Sequence, residues 1–502
     1  MAKNFTLQEI AALARSHKVL PLIDTVFSGT ETPVGLFQKL CGDRVGTFLL
    51  ESADQGVWSR YSFIGVNQRG YLSKESGQSA KWIGEGSALP GGTDLSSKTA
   101  LDALAELVAS WSAPKIDGLP PLTSGLVGML GWEVIREIES LPNPPKADYV
   151  VPEMWFAMFS DLVIVDHLTS ELHFVANIFI ENEDAEIAGL YDDASLRLEA
   201  LRQTAAADTK PFMVERSSAG ELQLSGNVTK EQFKDAIEVA KRHIRAGDVF
   251  QVVLSQRFDQ PCEAAPLDVY RALRALNPSP YMYLLQQADT HGTYSIVGSS
   301  PEALVTVTDQ HAVMHPIAGS RPRGNSIESD QANETSLLGD AKERAEHLML
   351  VDLARNDLLK VCDPSSISVT EFMAVHRFSH IMHLVSTVEG QLRQNQTIVD
   401  VFKATFPAGT LSGAPKPRAL EIIDSLEASN RGLFGGVVGY FDFAGSADLA
   451  IAIRTALLRD GIAHIQAGAG LVLDSDPESE YLETRTKASA PARAVLTANG
   501  FN

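Results

Sequence analysis

Two pairs of glutamates stand three residues apart: Glu343 with Glu346, and Glu480 with Glu483. In a helix that spacing puts both carboxylates of a pair on one face. Carboxylates facing each other from two helices suit magnesium, a hard cation bound mostly through oxygen. The spacing alone also fits plainer roles. Acids in a first helical turn complement the helix dipole, and Glu483 can pair with Lys487 four residues on.

Two glycine-bearing segments come next. Phe406 to Lys416 (FPAGTLSGAPK) runs into a helix expected to begin near Pro415, where free backbone N–H groups and the hydroxyls of Thr410 and Ser412 could meet an anion. It lacks the Gly-Lys-Ser/Thr triplet of a nucleotide-binding loop. Gln466 to Leu471 (QAGAGL) reads as a second such loop before the acidic pair at 480 and 483. His380 and His383 are three apart but have no suitable partner ligands, so His383 is either structural or a proton carrier near neutral pH. Arg454 follows an apolar run, where a charge is paired or at a binding site, and arginine is the natural clamp for a carboxylate. Arg321 and Arg323 read as salt-bridged structural residues. Taken alone, these residues describe an acid-rich enzyme with an anionic small-molecule substrate.

The elements that must position them are legible in outline. Thr229 and Gln232 form a capping box ahead of Phe233, Ile237, Ala240 and Ile244 at helical spacing, and Gly247 ends that helix. Val249 to Phe258 reads as a strand with Gln251, Val253 and Ser255 on one face. Helices are expected at 339–358, 397–404, 415–428 and 477–488. Strands are expected at 294–298, 303–307, 435–443, 448–458 and 462–467, and earlier at 46–50, 161–165 and 172–178. The fold class is therefore α+β. The expected organisation is an N-terminal domain over 1–180, a linker region over 181–228 with a surface helix near 185–203, a catalytic domain over 229–490 and a tail over 491–502.

The chain has 502 residues, 44% apolar and 21% charged, which is globular composition. Its 63 acids against 42 bases give a net charge of −21, which disfavours nucleic acid and anionic membranes as partners. An anionic substrate must then be held by local bases, amides or a metal against the overall field. The three scattered cysteines read as free thiols in a reducing compartment. With no secretion signal or membrane span in view, a cytoplasmic location is expected.

Eight segments, in order, resemble the chorismate-utilising enzymes, and within them the anthranilate synthase component I branch: GDVFQVVLSQRF, GSSPEAL, HPIAGSRPRG, AEHLMLVDLARND, ATFPAGTLSGAPK, GGVVGYFDF, DLAIAIRT and GAGLVLDSDPESEYLET. The resemblance implies large antiparallel sheets packed face to face with helices outside. It implies Mg²⁺ on Glu346 and Glu483, with Glu343 and Glu480 behind them. The substrate chorismate would be held by Gly319, Ser320, Thr410, Phe434, Arg454, Gly468, Ala469, Gly470 and Lys487. Phe434 departs from the tyrosine common in relatives, which removes one hydrogen bond worth about 1 kcal/mol if that hydroxyl normally touches substrate.

The implied reaction has two stages: ammonia attacks C2 as the C4 hydroxyl leaves, and pyruvate is then lost to give anthranilate. Glu302 matches the general acid and His383 the residue tied to the elimination. Relatives that add water carry a lysine where this chain has Gln251. Aminodeoxychorismate synthases of the bacterial type use a lysine nucleophile where it has Ala318. Gln251 with Ala318 therefore points to direct attack by ammonia. Glu51, Ser52, Pro280, Tyr281 and Met282 resemble a tryptophan pocket, implying feedback inhibition by L-tryptophan. The chain ends soon after the last motif, so ammonia is expected from a separate glutamine amidotransferase subunit, commonly in a heterotetramer. The rival readings are an aminodeoxychorismate synthase and a non-catalytic tryptophan-binding regulator on the same scaffold.

Overall fold

Long runs of β-branched and aromatic residues build the scaffold of this chain, whose computed structural model describes residues 3–501 apart from 53–59, 91–94, 96–97, 183, 209–212, 215–219 and 378–380. Tyr61–Lys74 pairs with Met154–Asp166, which also pairs with Leu126–Leu130 and Glu171–Phe179, all antiparallel. Thr47–Glu51 joins Tyr61–Lys74 to Tyr281–Asp289. Val437–Phe441 joins Leu126–Leu130 to Ala447–Ile451. Strands from before residue 180 and after 229 are thus hydrogen-bonded neighbours. Phe48, Trp155, Phe159, Tyr283 and Val438 share one buried cluster, so strand faces pack on each other with aromatic side chains between them. Phe48 meets Phe159 edge-on at 4.7 Å, a favoured aromatic geometry. Helices close the outside, and the architecture is α+β.

The helix Lys230–Ala246 carries both halves of the Thr229/Gln232 capping box and ends at Gly247, whose φ of 81° a side-chain-bearing residue rarely adopts. Helices Ala341–Leu359, Ile398–Thr405 and Lys416–Leu426 lie where the sequence placed them, whereas Pro477–Ala498 continues past the expected end at 488 and takes in most of the expected tail over 491–502, with Pro491 inside the helix. Ile187–Ala206 also lies where expected. Ile327–Gly339 is a further helix. Its run IESDQANETSLLG buries only Leu337, so it has no apolar stripe to announce it.

Two expectations about strands also needed correction. The strand expected over 448–458 is two strands, Ala447–Ile451 and Thr455–Arg459, with Arg454 in the break at φ 52°. After Asp448 only Arg454 and Thr455 interrupt the apolar run, but the chain turns between partners: the first strand pairs with Ala303–Thr308 and the second with Gly292–Ser300. The segment Gln466 to Leu471 is not a loop but the end of strand Ile462–Leu471, paired residue for residue with Gln251–Pro261. Glycine and alanine there serve a tight strand surface instead of a turn.

Candidate active site

The paired strands Gln251–Pro261 and Ile462–Leu471 form one wall of a cavity of about 670 Å³. Gln251, Gly468 and Gly470 line it. A Cβ on Gly470 would stand 2.8 Å from the Gln251 amide nitrogen, so only glycine leaves that side chain its place. Ala469 points away into the core and does not line the cavity. Opposite lies strand Ile317–Pro322, paired with Ile381–Gln391 so that Ser320 sits beside His383. Ala318, Gly319, Ser320 and His383 all line the cavity. Gly319 has φ 65° and lies against Glu343, whose carboxylate oxygen would be 3.1 Å from an added Cβ.

Both glutamate pairs reach this space. Glu343 and Glu346 come from helix Ala341–Leu359, Glu480 and Glu483 from helix Pro477–Ala498. Asp476 caps the second helix by accepting from the Ser479 N–H, and Pro477 fills its first turn. Burial, then repulsion from Glu343, pushes the Glu346 carboxyl up, and Glu483 adds to it. The Glu480 carboxyl is raised by burial, with Glu483 contributing. Carboxylates that repel one another at the edge of one cavity are a fitting donor set for a hard divalent cation. Among the described residues no three acidic, histidine or cysteine side chains gather into a metal cage. Mg²⁺ commonly takes one or two carboxylates and fills its remaining positions with water and substrate oxygens. The plainer role of Glu483 is also present, as a 2.6 Å ion pair with Lys487.

Glu302 sits at the end of the Ser299-Ser-Pro turn with its carboxyl buried, and burial pushes its pKa up to about 7. The Thr410 hydroxyl donates to it at 2.8 Å, and the charge of Lys487 also opposes the rise. Ser412, in contrast, donates to the Ala408 carbonyl and is not free for an anion. The loop is fixed from beneath by Arg431, which donates to the Leu411 and Val253 carbonyls and pairs with Glu427 at 2.7 Å. Phe434 lines the cavity with its ring 5.6 Å from the same guanidinium.

His383 Nδ1 lies 2.9 Å from the Gly319 carbonyl oxygen. A carbonyl only accepts, so Nδ1 carries the hydrogen and Nε2 is the basic nitrogen. Burial holds the histidine pKa below its ordinary value, keeping the ring neutral near pH 7. Arg454 reaches the cavity from its left-handed backbone position and donates to the Lys487 carbonyl at 3.4 Å. Lys487 in turn donates to the Gly468 carbonyl at 3.0 Å. Gln251 donates to Glu346 at 3.3 Å, while its carbonyl oxygen is buried without a hydrogen-bond partner.

The structure brings the residues of the suspected regulatory pocket together. Glu51 and Met282 are register partners on adjacent strands. Glu51 accepts from the Tyr270 hydroxyl and both ends of Arg274. The Ser52 hydroxyl is buried without a partner. Pro280 also lines the substrate cavity together with Asn277, Pro278 and Ser279, so one loop serves both places. Arg321 and Arg323 pair with Asp340 and Asp330, as structural residues should. His380 lies outside the described residues. Lys342 lines the cavity unforeseen, as do residues 277–279. Only the Glu427/Arg431 spacing of four could have flagged the support beneath the 410 loop.

A sheet-walled cavity with an acid of raised pKa, a neutral histidine, an acidic cluster and two bases defines an enzyme for a small anionic substrate. Residues 46–493 match the chorismate binding enzyme family, and the chain belongs to it. The chain is 49% identical to the anthranilate synthase component 1 of Arthrobacter globiformis, over 99% of this chain and 94% of that one. It is 46% identical to that of Mycobacterium tuberculosis (strain ATCC 25618 / H37Rv), over 99% and 97%. The crystal structure of anthranilate synthase component I from Streptococcus pneumoniae TIGR4 is similar, with TM-score 0.75 and 35% identity over 93% of this chain and 99% of that one. The menaquinone-specific isochorismate synthase MenF from Escherichia coli shares the fold, with TM-score 0.68 and 17% identity over 98% of each chain.

Proposed function

We propose that this chain is the component of anthranilate synthase that converts chorismate and ammonia to anthranilate and pyruvate, acting as a lyase. The observation that carries the reading is the pair Gln251 and Ala318 in one cavity with Glu302 and His383. An amide cannot deprotonate water and an alanine cannot attack carbon. Ammonia already has its lone pair and needs neither.

Glu302 is protonated for a useful fraction of molecules near pH 7 and donates to the leaving C4 hydroxyl as ammonia bonds to C2. Thr410 fixes the rotamer of that carboxyl. His383 Nε2 then takes the C2 proton as the bond to the enolpyruvyl oxygen breaks, making the ring aromatic and releasing enolpyruvate, which takes up a proton at its methylene carbon to become pyruvate. Arg454 and Lys487, with the backbone around Gly468, hold substrate carboxylates. Glu346 and Glu483, backed by Glu343 and Glu480, would hold Mg²⁺, which when bound supplies positive charge to anchor the ring carboxylate. We read Ser52 with Pro280, Tyr281 and Met282 as a tryptophan pocket at the start of strand Tyr281–Asp289. Pro280 lines the substrate cavity, so occupancy on one side of the loop can be felt on the other. A separate glutaminase subunit would supply ammonia, and the cytoplasm is the fitting compartment.

The test is product analysis with chorismate, Mg²⁺ and ammonium. Equal amounts of anthranilate and pyruvate are expected. Isochorismate formed at a comparable rate, or an aminated product without pyruvate, would overturn the reading.

A further inference from the structure

The four glutamates at the edge of the substrate cavity are not served alike by the bases around them. Glu343 has Arg321 at 3.6 Å, and Glu483 has Lys487 at 2.6 Å. Both bases are tied down by a second partner: Arg321 donates to Asp340 at 2.8 Å, and Lys487 to the Gly468 carbonyl at 3.0 Å. Glu346 and Glu480 have no such partner. The Gln251 amide donates to Glu346 at 3.3 Å, and the Ser475 hydroxyl lies beside Glu480. One further base lines the same cavity, Lys342. Among the described residues its ammonium forms no ion pair or hydrogen bond, so it is the one cavity lysine that is not tied to an acid or a carbonyl.

Helix physics gives no reason for a lysine at 342. It is the second residue of helix Ala341–Leu359, directly behind the Asp340 cap. The first turn carries the positive end of the helix dipole, which favours acids and disfavours bases. Lys342 and Glu346 are four apart, but with the base first, which is the weaker of the two orientations. The residue is exposed, so packing does not demand it either. The cavity does account for it. Burial raises the Glu346 and Glu480 carboxyls, and the Lys342 charge opposes that rise at both, although the two acids belong to different helices. Lys342 therefore serves the two acids that Arg321 and Lys487 do not.

We propose that Lys342 is the counter-charge of Glu346 and Glu480, and that by holding a positive charge there it makes the binding of a divalent cation depend on the substrate. The inference rests on the reading of the glutamates as a Mg²⁺ site and of chorismate as the substrate. A divalent cation that enters beside Lys342 is repelled by it. At the separations of neighbouring side chains near a protein surface, that repulsion weakens cation binding by about tenfold. A substrate dianion brings two negative charges into the same space and offsets it. Cation and substrate then bind better together than either does alone, and by linkage each tightens the other by the same factor. Without Lys342 the acids would hold the cation firmly whether or not substrate was present.

The test reads cation affinity directly, with Mn²⁺ as the probe and electron paramagnetic resonance as the measure of free ion, at low salt. Chorismate is added without ammonium, so that nothing turns over. Lys342→Met keeps the apolar stem and removes the charge, and Lys342→Gln repeats the test should methionine lower the melting temperature. Each should bind Mn²⁺ alone about tenfold more tightly than the wild type. The factor by which chorismate tightens Mn²⁺ should fall by about the same amount, while Lys342→Arg keeps both wild-type values. Damage to the fold would weaken the site, so a gain in affinity is the diagnostic result. Mn²⁺ affinity that stays the same or falls in a folded, charge-free variant would overturn the proposal. Loss of chorismate affinity with Mn²⁺ affinity unchanged would make Lys342 a direct substrate ligand and overturn it equally. The reading beneath the proposal fails separately: Mn²⁺ binding undiminished in both Glu346→Gln and Glu483→Gln would place the metal elsewhere, and a wild type that makes no anthranilate would refute the function.

Discussion

Replacing Thr410 with valine removes one hydroxyl, keeps the side-chain shape and should move the pH dependence of catalysis in a direction that can be calculated. The Thr410 hydroxyl donates to the Glu302 carboxylate at 2.8 Å, and that bond favours the charged form. A hydrogen bond to a charged group is worth about 1.5–3 kcal/mol net, and each pKa unit corresponds to about 1.4 kcal/mol. Losing it should raise the Glu302 pKa from its value of about 7 by about one to two. Glu302 acts while protonated, so catalysis fails as pH rises through its pKa. In Thr410→Val the alkaline limb of kcat should therefore move upward by about one to two pH units. The assay is anthranilate formation at saturating chorismate, with total ammonium adjusted so that free NH₃ is constant at every pH. A limb that stays in place, or moves toward acid, would show that Glu302 is not the group whose protonation limits the rate.

Three further outcomes follow from the same geometry. Arg454 occupies a left-handed backbone position, which costs a side-chain-bearing residue about 1–2 kcal/mol. Arg454→Gly should thus unfold at a higher denaturant concentration than Arg454→Ala by about that energy, while both lose chorismate affinity; equal stabilities would refute the strain. Arg431→Ala leaves Glu427 buried without its partner and should cost about 3–5 kcal/mol in urea unfolding, whereas a cost under about 1 kcal/mol would show that the pair beneath the 410 loop is unimportant. Ser52→Phe should relieve tryptophan inhibition with little loss of turnover, and sensitivity that persists would count against a pocket formed by Ser52 with Pro280, Tyr281 and Met282.

Much of this was legible because local chemistry and global fold agree. Thr229, Gln232 and Gly247 mark both ends of one helix, and Asp476 with Pro477 marks the start of another, because caps act within a single turn. The glutamate pairs were visible as pairs, since helical spacing fixes which side chains share a face. What brings them together was not visible, because helix Ala341–Leu359 packs on the paired strands Ile317–Pro322 and Ile381–Gln391 while helix Pro477–Ala498 packs on strand Ile462–Leu471, and no local pattern announces those strand pairings. The break at Arg454 was hidden for the same reason. Apart from Thr455 its neighbours on both sides are apolar, and the change of partner strand is what makes the chain turn. Gln466 to Leu471 misled because glycines that read as a turn in sequence can equally be glycines that clear a surface for a neighbouring side chain, here Gln251. The raised pKa of Glu302 lies furthest from the sequence, since its first cause is burial by elements scattered along the whole chain.

The central claim is that the cavity between the two glutamate-bearing helices is where chorismate and ammonia become anthranilate. It is tested most directly by following anthranilate fluorescence with chorismate, Mg²⁺ and ammonium at mildly alkaline pH, comparing the wild type with Glu346→Gln and Glu483→Gln. The account predicts a signal from the wild type that EDTA abolishes, that glutamine alone does not support, and that each substitution sharply lowers. Anthranilate formed at wild-type rates by both folded variants would place the chemistry somewhere else.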